Sequence, residues 1–478
     1  MRKIIRKTMS AFFALVLLFA LFACQSNNDN RESPENTNGE IVGESSINGD
    51  NNNGDAGNGA EVNVVNITEL NEKKELARDI VMSLVNGDFE SVAALFDADM
   101  DRAVGGVDGL RSGWDSLIGL TGEFISIINI EFEYIEPYEI YVVTSRHENS
   151  GTTAQIVFSE DGLLSGLRIN LTANPEDTIE PNADGDGFTE IAGILGEGTE
   201  YPLNCILSIP DRGADKYPAV VLVHGSGSTD MNETAYGIAV FKDISDHLAQ
   251  NGIAVLRYDK RTYAHSIRIS IDYGDELTVW EETIDDAVLA KEYLAQFDMI
   301  DTDRVYVIGH SLGGMLAPRI VQEANYAGGI IMAGSLRSLL DIIYDQHIYF
   351  FEAADLTDDE RSEMIAQMEE AHEMFFGISE IYIRDLDTHL IPELLTESGK
   401  PFLIIQGAKD FQVYADVDFA LYKEIAQGHE QIEFRLYENL NHLFTVSTME
   451  TPTIEDYIPG SKVDPAPLED IVQWILAR

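Results

Sequence analysis

The sequence predicts an α/β protein: a mostly parallel sheet with helices on both faces and a helical cap insertion, preceded by a small α+β domain. Three observations predict it. From Ile191 onward, short and near-continuous apolar runs alternate with helical patterns, as in strands covered on both faces. Within that rhythm, Leu336 to Gly399 is a long acidic helical interval, expected as a cap at about 336–399. Ahead of it all, Ile67 to Leu171 carries its own helix stripes and strand patterns. A length of 478 residues fits two or three domains, and an apolar content of 45% supplies a sizeable core.

Residues 1–23 have the form of a targeting segment. Arg2, Lys3, Arg6 and Lys7 precede the apolar stretch Ala11 to Ala23, which is shorter than the roughly 20 residues of a spanning helix. The ending Leu21-Phe22-Ala23-Cys24 resembles the bacterial lipoprotein signal, which implies lipid attachment at Cys24 and an extracytoplasmic, membrane-anchored protein; plain secretion is the alternative. Residues 24–62 are Asn- and Gly-rich and are expected to form a disordered linker.

Lys+Arg number 31 against Asp+Glu 83, a net charge of −52. Removing residues 1–23, with four basic residues and no acid, makes it −56. Such a field repels nucleic acid and opposes adsorption to an anionic membrane surface. The lipid anchor is therefore the one membrane contact expected. Besides Cys24 the chain has only Cys205, in the strand-like Asn204-Cys205-Ile206-Leu207, expected to act as a small buried hydrophobe.

The small domain is expected over 63–171. Leu76, Ile80 and Leu84, with Val81 and Val85, make one apolar helix face. Phe89, Val92, Ala93 and Phe96 stripe a second, short helix after the Gly87-Asp88 break. After Trp114 the pattern turns to strands at Phe124 to Phe132, Ile140 to Ser145, Thr153 to Phe158 and Leu163 to Leu171. Asp161-Gly162 marks a hairpin turn. The segments Asn86-Gly87-Asp88-Phe89 and Phe158-Ser159-Glu160-Asp161-Gly162 resemble a domain of unknown function, a curved NTF2-like sheet found ahead of bacterial hydrolases. That resemblance leaves open ligand binding, pairing, or a passive spacer.

Residues 172–190 are expected to be a second linker. Its run Asn182 to Gly187 has the look of a calcium loop, but position 12 is Gly193, where a bidentate Glu is needed. A polar turn is the better reading, and no metal is assigned. The larger domain, 191–478, has candidate strands Ala219 to Val223, Ile253 to Tyr258, Arg304 to Ile308, Gly329 to Ala333, Phe402 to Ile405 and Ile432 to Tyr437, with a helix at Val279 to Phe297. Thr357-Asp358-Asp359-Glu360 predicts a helix N-cap within the cap.

Gly309-His310-Ser311-Leu312-Gly313 lies between the strand pattern Val305 to Ile308 and a helix start. This strand–turn–helix setting marks Ser311 as a candidate nucleophile. A serine hydroxyl needs an adjacent base, and His442, after the last strand, is placed to be that base. Asp410, close behind the strand Phe402 to Ile405, would orient the imidazole; Asp416 and Asp418 compete for that role. His224-Gly225-Ser226-Gly227 follows the first apolar strand. Backbone N–H groups of Ser226 and Leu312 could form an oxyanion hole, with Gly225 or Gly227 as alternative donors. His224 is expected to support its loop, His310 to pack, and His265 is a weaker candidate for lining a pocket.

Together, Val221 to Gly227, Arg257-Tyr258-Asp259-Lys260-Arg261, the elbow, and Gln406 to Val413 resemble the α/β-hydrolase superfamily, and within it bacterial serine esterases of the dienelactone-hydrolase and acyl-thioesterase-like branch. The resemblance spans roughly Ile191 to Arg478. It implies an α/β-hydrolase fold and carboxylesterase activity on small, short-chain acyl esters through an acyl-enzyme, with no metal or organic cofactor. Two departures stand out. True dienelactone hydrolases carry a cysteine where this chain has Ser311, and the segment Ser228 to Glu233 departs from the usual proline- and arginine-bearing form. A thioesterase or peptidase on the same triad, and a catalytically silent binding lipoprotein, are the competing readings.

Overall fold

The computed structural model describes residues 67–135, 138–159, 161–172, 187–353, 356–373, 375 and 378–478. The expected signal segment, Cys24, the first linker and residues 182–186 of the Asn182 to Gly187 run lie outside the described residues. Among the described residues no helix is long and apolar enough to cross a membrane.

The first unit packs helices on one antiparallel sheet. The helix Ile67–Val85 buries Ala77, Ile80, Val81 and Leu84. Asp88 caps the next, Phe89–Ala93, by accepting from the Ser91 amide at 3.2 Å. Two further helices, Ala98–Val104 and Gly106–Thr121, not among the elements expected from the sequence, occupy the stretch before the first strand, which begins at Phe124 as expected. Strands β1 (Phe124–Ile135), β2 (Tyr138–His147), β3 (Gly151–Phe158) and β4 (Leu164–Thr172) form an antiparallel meander in chain order. Gly162 turns the last hairpin at φ 76°, a conformation open to glycine. Tyr141, Val143, Ile156 and Leu164 close this core against the helices.

The second sheet has eight strands: β5 (Phe188–Leu195), β6 (Leu203–Pro210), β7 (Tyr217–Val223), β10 (Ala254–Tyr258), β11 (Ile300–His310), β12 (Gly329–Met332), β13 (Phe402–Gly407) and β14 (Ile432–Tyr437). The two short strands β8 (Thr234–Ala235) and β9 (Ile238–Ala239) form a separate hairpin. The order across the sheet is β14-β13-β12-β11-β7-β10-β6-β5. From β10 to β14 the pairs are parallel; β6 and β5 add antiparallel at the edge. β5 begins at Phe188, inside the stretch expected as linker. Its alternating burial is that of a one-sided edge strand, a weaker pattern than the continuous runs further on.

Side chains of β7 alternate between two cores, Val221 and Val223 on one face, Val220 and Leu222 on the other. The chain winds from β7 outward to β10, then returns to place β11 on the other side of β7. That reversal is a topological switch point, where the loops leaving the carboxyl ends of β7 and β11 diverge and open a crevice. Between β12 and β13 the cap contributes helices Leu339–Ala353, Asp358–Glu373, Glu380–His389 and Pro392–Thr396. Thr357 and Glu360 form a capping box: the Glu360 amide donates to Thr357 Oγ1 and the Thr357 amide to Glu360 Oε2 at 2.9 Å.

Candidate active site

β11 runs into Ser311, which sits at φ 52°, ψ −115° before the helix Leu312–Glu323. Such a conformation costs a non-glycine residue about 1–3 kcal/mol and persists only where its surroundings enforce it. Here they do. The Ser311 amide donates to the Met332 carbonyl at 2.9 Å, and the Ser311 carbonyl accepts from Met315 at 3.0 Å. A Cβ on Gly309 would lie 2.1 Å from the Gly313 carbonyl oxygen, and one on Gly313 would lie 2.2 Å from that of Val223. Both glycines are thus demanded by backbone packed on backbone, and the turn lifts the Ser311 side chain to the crevice.

Asp410 follows β13 and is buried. Its Oδ2 accepts from His442 Nδ1 at 2.8 Å and from Gln406 Nε2 at 2.8 Å. Its Oδ1 accepts the amides of Gln412 and Val413 at 2.8 and 2.9 Å. Four donors fix the carboxylate, and it fixes the ring: with Nδ1 carrying the proton, Nε2 is left as the basic nitrogen. Asn441, fully buried, shapes the His442 loop; its Oδ1 accepts the amides of Leu443 and Thr445, each at 3.1 Å. The rival carboxylates are elsewhere engaged or exposed. Asp418 accepts from Ser335, Arg337 and the Tyr414 amide, and Asp416 faces solvent.

The loop after β7 lies directly on the serine: a Cβ on Gly225 would meet Ser311 Cβ at 3.1 Å. Gly225 cannot serve as an oxyanion donor, because its amide donates to Glu233 Oε1 at 2.6 Å. Ser226 and Gly227 remain as donors from the loop. Leu312, first residue of its helix, has no intrahelical carbonyl to reach. Glu233 is one of the residues sequence reasoning missed. Its other oxygen pairs with His310 Nδ1 at 3.0 Å, while His310 Nε2 donates to the His442 carbonyl at 3.0 Å. The Glu233 carboxylate 3.0 Å from Nδ1 and the His442 carbonyl at Nε2 both favour the protonated ring. Burial opposes that charge, but Glu233 and the carbonyl outweigh it and hold the His310 pKa above its ordinary value. Burial would likewise push Glu233 up; the His310 charge holds it below the ordinary range. His310 therefore does more than pack. One buried carboxylate ties the Gly225 loop, the elbow and the His442 loop together. Nothing in the local sequence around Glu233 signals this, since it depends on three loops meeting.

Lys260, buried, donates from Nζ to the Gly225 carbonyl at 2.8 Å and pairs with Glu282 at 3.1 Å. His224 supports its loop as expected: Nε2 donates to the Asp230 carbonyl at 3.0 Å, and the ring packs on Phe241 and Tyr258. Burial drives its pKa down to about 4, so it is neutral. His265 is drawn away from a pocket role, its Nε2 donating to the Pro202 carbonyl at 2.7 Å and its ring against Tyr201. Cys205 is buried in β6, and burial pushes its thiol pKa up to about 11. The constellation thus offers a hydroxyl on a strained turn, an imidazole oriented by Asp410 whose ring lies 4.9 Å from that of His310, the residue before the serine, and candidate amide donors from two segments.

Residues 220–451 match the alpha/beta hydrolase family, and residues 77–167 match a protein family of unknown function, DUF3887. Esterase EstD of Thermotoga maritima is 29% identical over 405 residues, covering 83% of this chain and 93% of that protein. Mouse dipeptidyl peptidase 8 is 30% identical over 132 residues, 27% of this chain but only 14% of that protein. Among solved structures, an esterase of Pyrococcus furiosus superposes with a TM-score of 0.38 at 18% identity, covering 62% of this chain and 96% of that one.

Proposed function

From a chain whose larger domain has the α/β-hydrolase fold and matches the alpha/beta hydrolase family, we propose a serine carboxylesterase acting on short-chain acyl esters. The 2.8 Å contact between Asp410 and His442 Nδ1 beside the strained Ser311 elbow carries the reading. The likeness to an esterase over most of both chains supports it.

In this reading His442 Nε2 takes the Ser311 hydroxyl proton as Oγ attacks the ester carbonyl carbon. The carbonyl oxygen becomes an oxyanion and accepts from the Ser226 and Leu312 amides. Each such donor lowers the barrier by about 2.7–4 kcal/mol. Collapse breaks the C–O bond, and the His442 imidazolium protonates the leaving alkoxide. Water, deprotonated by His442, then attacks the acyl-enzyme; the acid leaves and Ser311 regains its proton. Asp410 stabilises the imidazolium throughout.

The ending Leu21-Phe22-Ala23-Cys24 supports a place outside the cytoplasm, held to the membrane by lipid on Cys24. Hydrolysis of p-nitrophenyl esters of increasing acyl length tests the activity. Turnover that is fastest on the short esters and abolished in Ser311→Ala supports it; activity retained in purified Ser311→Ala refutes it.

A further inference from the structure

Two polar side chains of the small domain reach the hydrolase domain near the glycine loop. Gln155 on β3 and Arg168 on β4 are direct cross-strand partners, and both reach into the hydrolase domain. Arg168 Nη2 donates to Ser228 Oγ at 2.5 Å. The Ser228 hydroxyl in turn donates to the Thr262 carbonyl at 3.0 Å. Gln155 accepts from the Ser266 hydroxyl, and both residues are buried.

Ser228 lies two residues beyond Ser226, in the loop that rests on Ser311. The near end of that loop is held by the hydrolase domain itself, through Glu233 on the Gly225 amide and Lys260 on the Gly225 carbonyl. At the far end the Lys260 amide donates to the Thr229 carbonyl at 3.2 Å. Between them the Ser228 side chain bonds to both domains, accepting from Arg168 and donating to the Thr262 carbonyl. The Arg168 charge is also felt by Glu282, the acid that pairs with Lys260 and accepts from Tyr382 of the cap. Loss of solvent pulls the Arg168 guanidinium pKa down to about 10, against the attraction of Glu282, so it remains charged at neutral pH. A passive spacer has no need to bring an arginine to the loop that faces the reacting carbonyl.

We infer that the small domain is a working part of the hydrolase, and that Arg168 is a positioning residue that sets the Ser226 amide, through Ser228, for the developing oxyanion. This rests on the reading of Ser311 as nucleophile. A donor displaced from the oxyanion position weakens transition-state binding and leaves ground-state binding of the ester nearly as it was.

The test compares full-length wild type, Ser311→Ala, Arg168→Ala, Arg168→Lys, Ser228→Ala and Arg168→Ala/Ser228→Ala on p-nitrophenyl acetate. It also measures inhibition by a phenylboronic acid, which forms a tetrahedral adduct on a serine. Arg168→Ala and Ser228→Ala should each lower kcat by about 10–100-fold with KM within about twofold. Boronate affinity should fall in step with kcat. Arg168→Lys should recover part of the loss, and the double variant should be no worse than either single one. Wild-type kcat and boronate affinity in Arg168→Ala would overturn the inference. So would additive losses in the double variant, or a fall in kcat in Arg168→Lys and Ser228→Ala that does no more than track their unfolded fraction. If Ser311→Ala is inactive while the Arg168 variants are normal, only this inference fails. If Ser311→Ala keeps activity, the esterase reading fails and takes this one with it.

Discussion

Glu233 and His310 form an ion pair of 3.0 Å inside the hydrolase domain, each side chain about 5% exposed or less. The pair sits one residue from the candidate nucleophile and holds the carbonyl of the candidate base.

Removing the Glu233 charge leaves His310 buried beside a neutral partner. Glu233→Gln should lose up to about 3 kcal/mol near pH 6, less than a fixed charge would because His310 can shed its proton. Urea unfolding measures this.

The pair also sets a pH window. The folded pKa of His310 is raised, so its contribution is complete below about pH 6.5 and fades as pH rises through the folded value. Glu233 is lowered, so its contribution is complete above about pH 4.5 and fades as pH falls through its folded value. His147, His224, His347 and His389 are all lowered by burial and act in the opposite sense. The stability difference between wild type and Glu233→Gln should therefore be greatest between about pH 4.5 and 6.5 and shrink on the alkaline side. Unfolding midpoints across that range would show it; a constant difference would contradict the pairing.

Asp410→Asn should lower kcat by up to about 10⁴-fold through loss of the tautomer and of imidazolium stabilisation. Asp418→Asn should instead weaken the fold with kcat little changed, because Asp418 serves Ser335 and Arg337. Steady-state kinetics and thermal unfolding of both variants separate the roles.

Gly313→Ala should cost about 3 kcal/mol or more, since its Cβ would meet backbone that cannot give way. Gly428→Ala, in open space at φ 89°, carries only the strain of its backbone conformation and should cost about 1–2 kcal/mol. Unfolding curves of the two variants check the contrast.

Much of this was legible because it is local. Strand, glycine-flanked serine and helix are contiguous, and Asp410 and His442 lie just beyond strand ends. The helix Gly106–Thr121 was not legible: it contains four glycines, each a helix-weakening residue, and is held by the burial of Leu110 and Trp114. One of them, Gly109, is required because a Cβ there would lie 1.8 Å from the Val104 carbonyl oxygen. Glu233, Lys260, Gln406 and Arg168 escaped for a different reason. Each is an ordinary polar residue in sequence; Glu233, Lys260 and Arg168 gain their roles only when segments apart in the chain meet, and Gln406 gains its role only when the loop after β13 folds back on it. The donors of the oxyanion hole fall between: the glycine loop was visible, but the exclusion of Gly225 required seeing Glu233 on its amide.

The central claim is that Ser311 is a nucleophile activated by His442. Intact-mass and peptide mass spectrometry after treatment with a fluorophosphonate test it most directly. One adduct per chain, on Ser311, absent in Ser311→Ala and strongly slowed in His442→Ala, is the predicted result. Folded wild-type protein that takes no adduct, or takes it on another residue, would contradict the account.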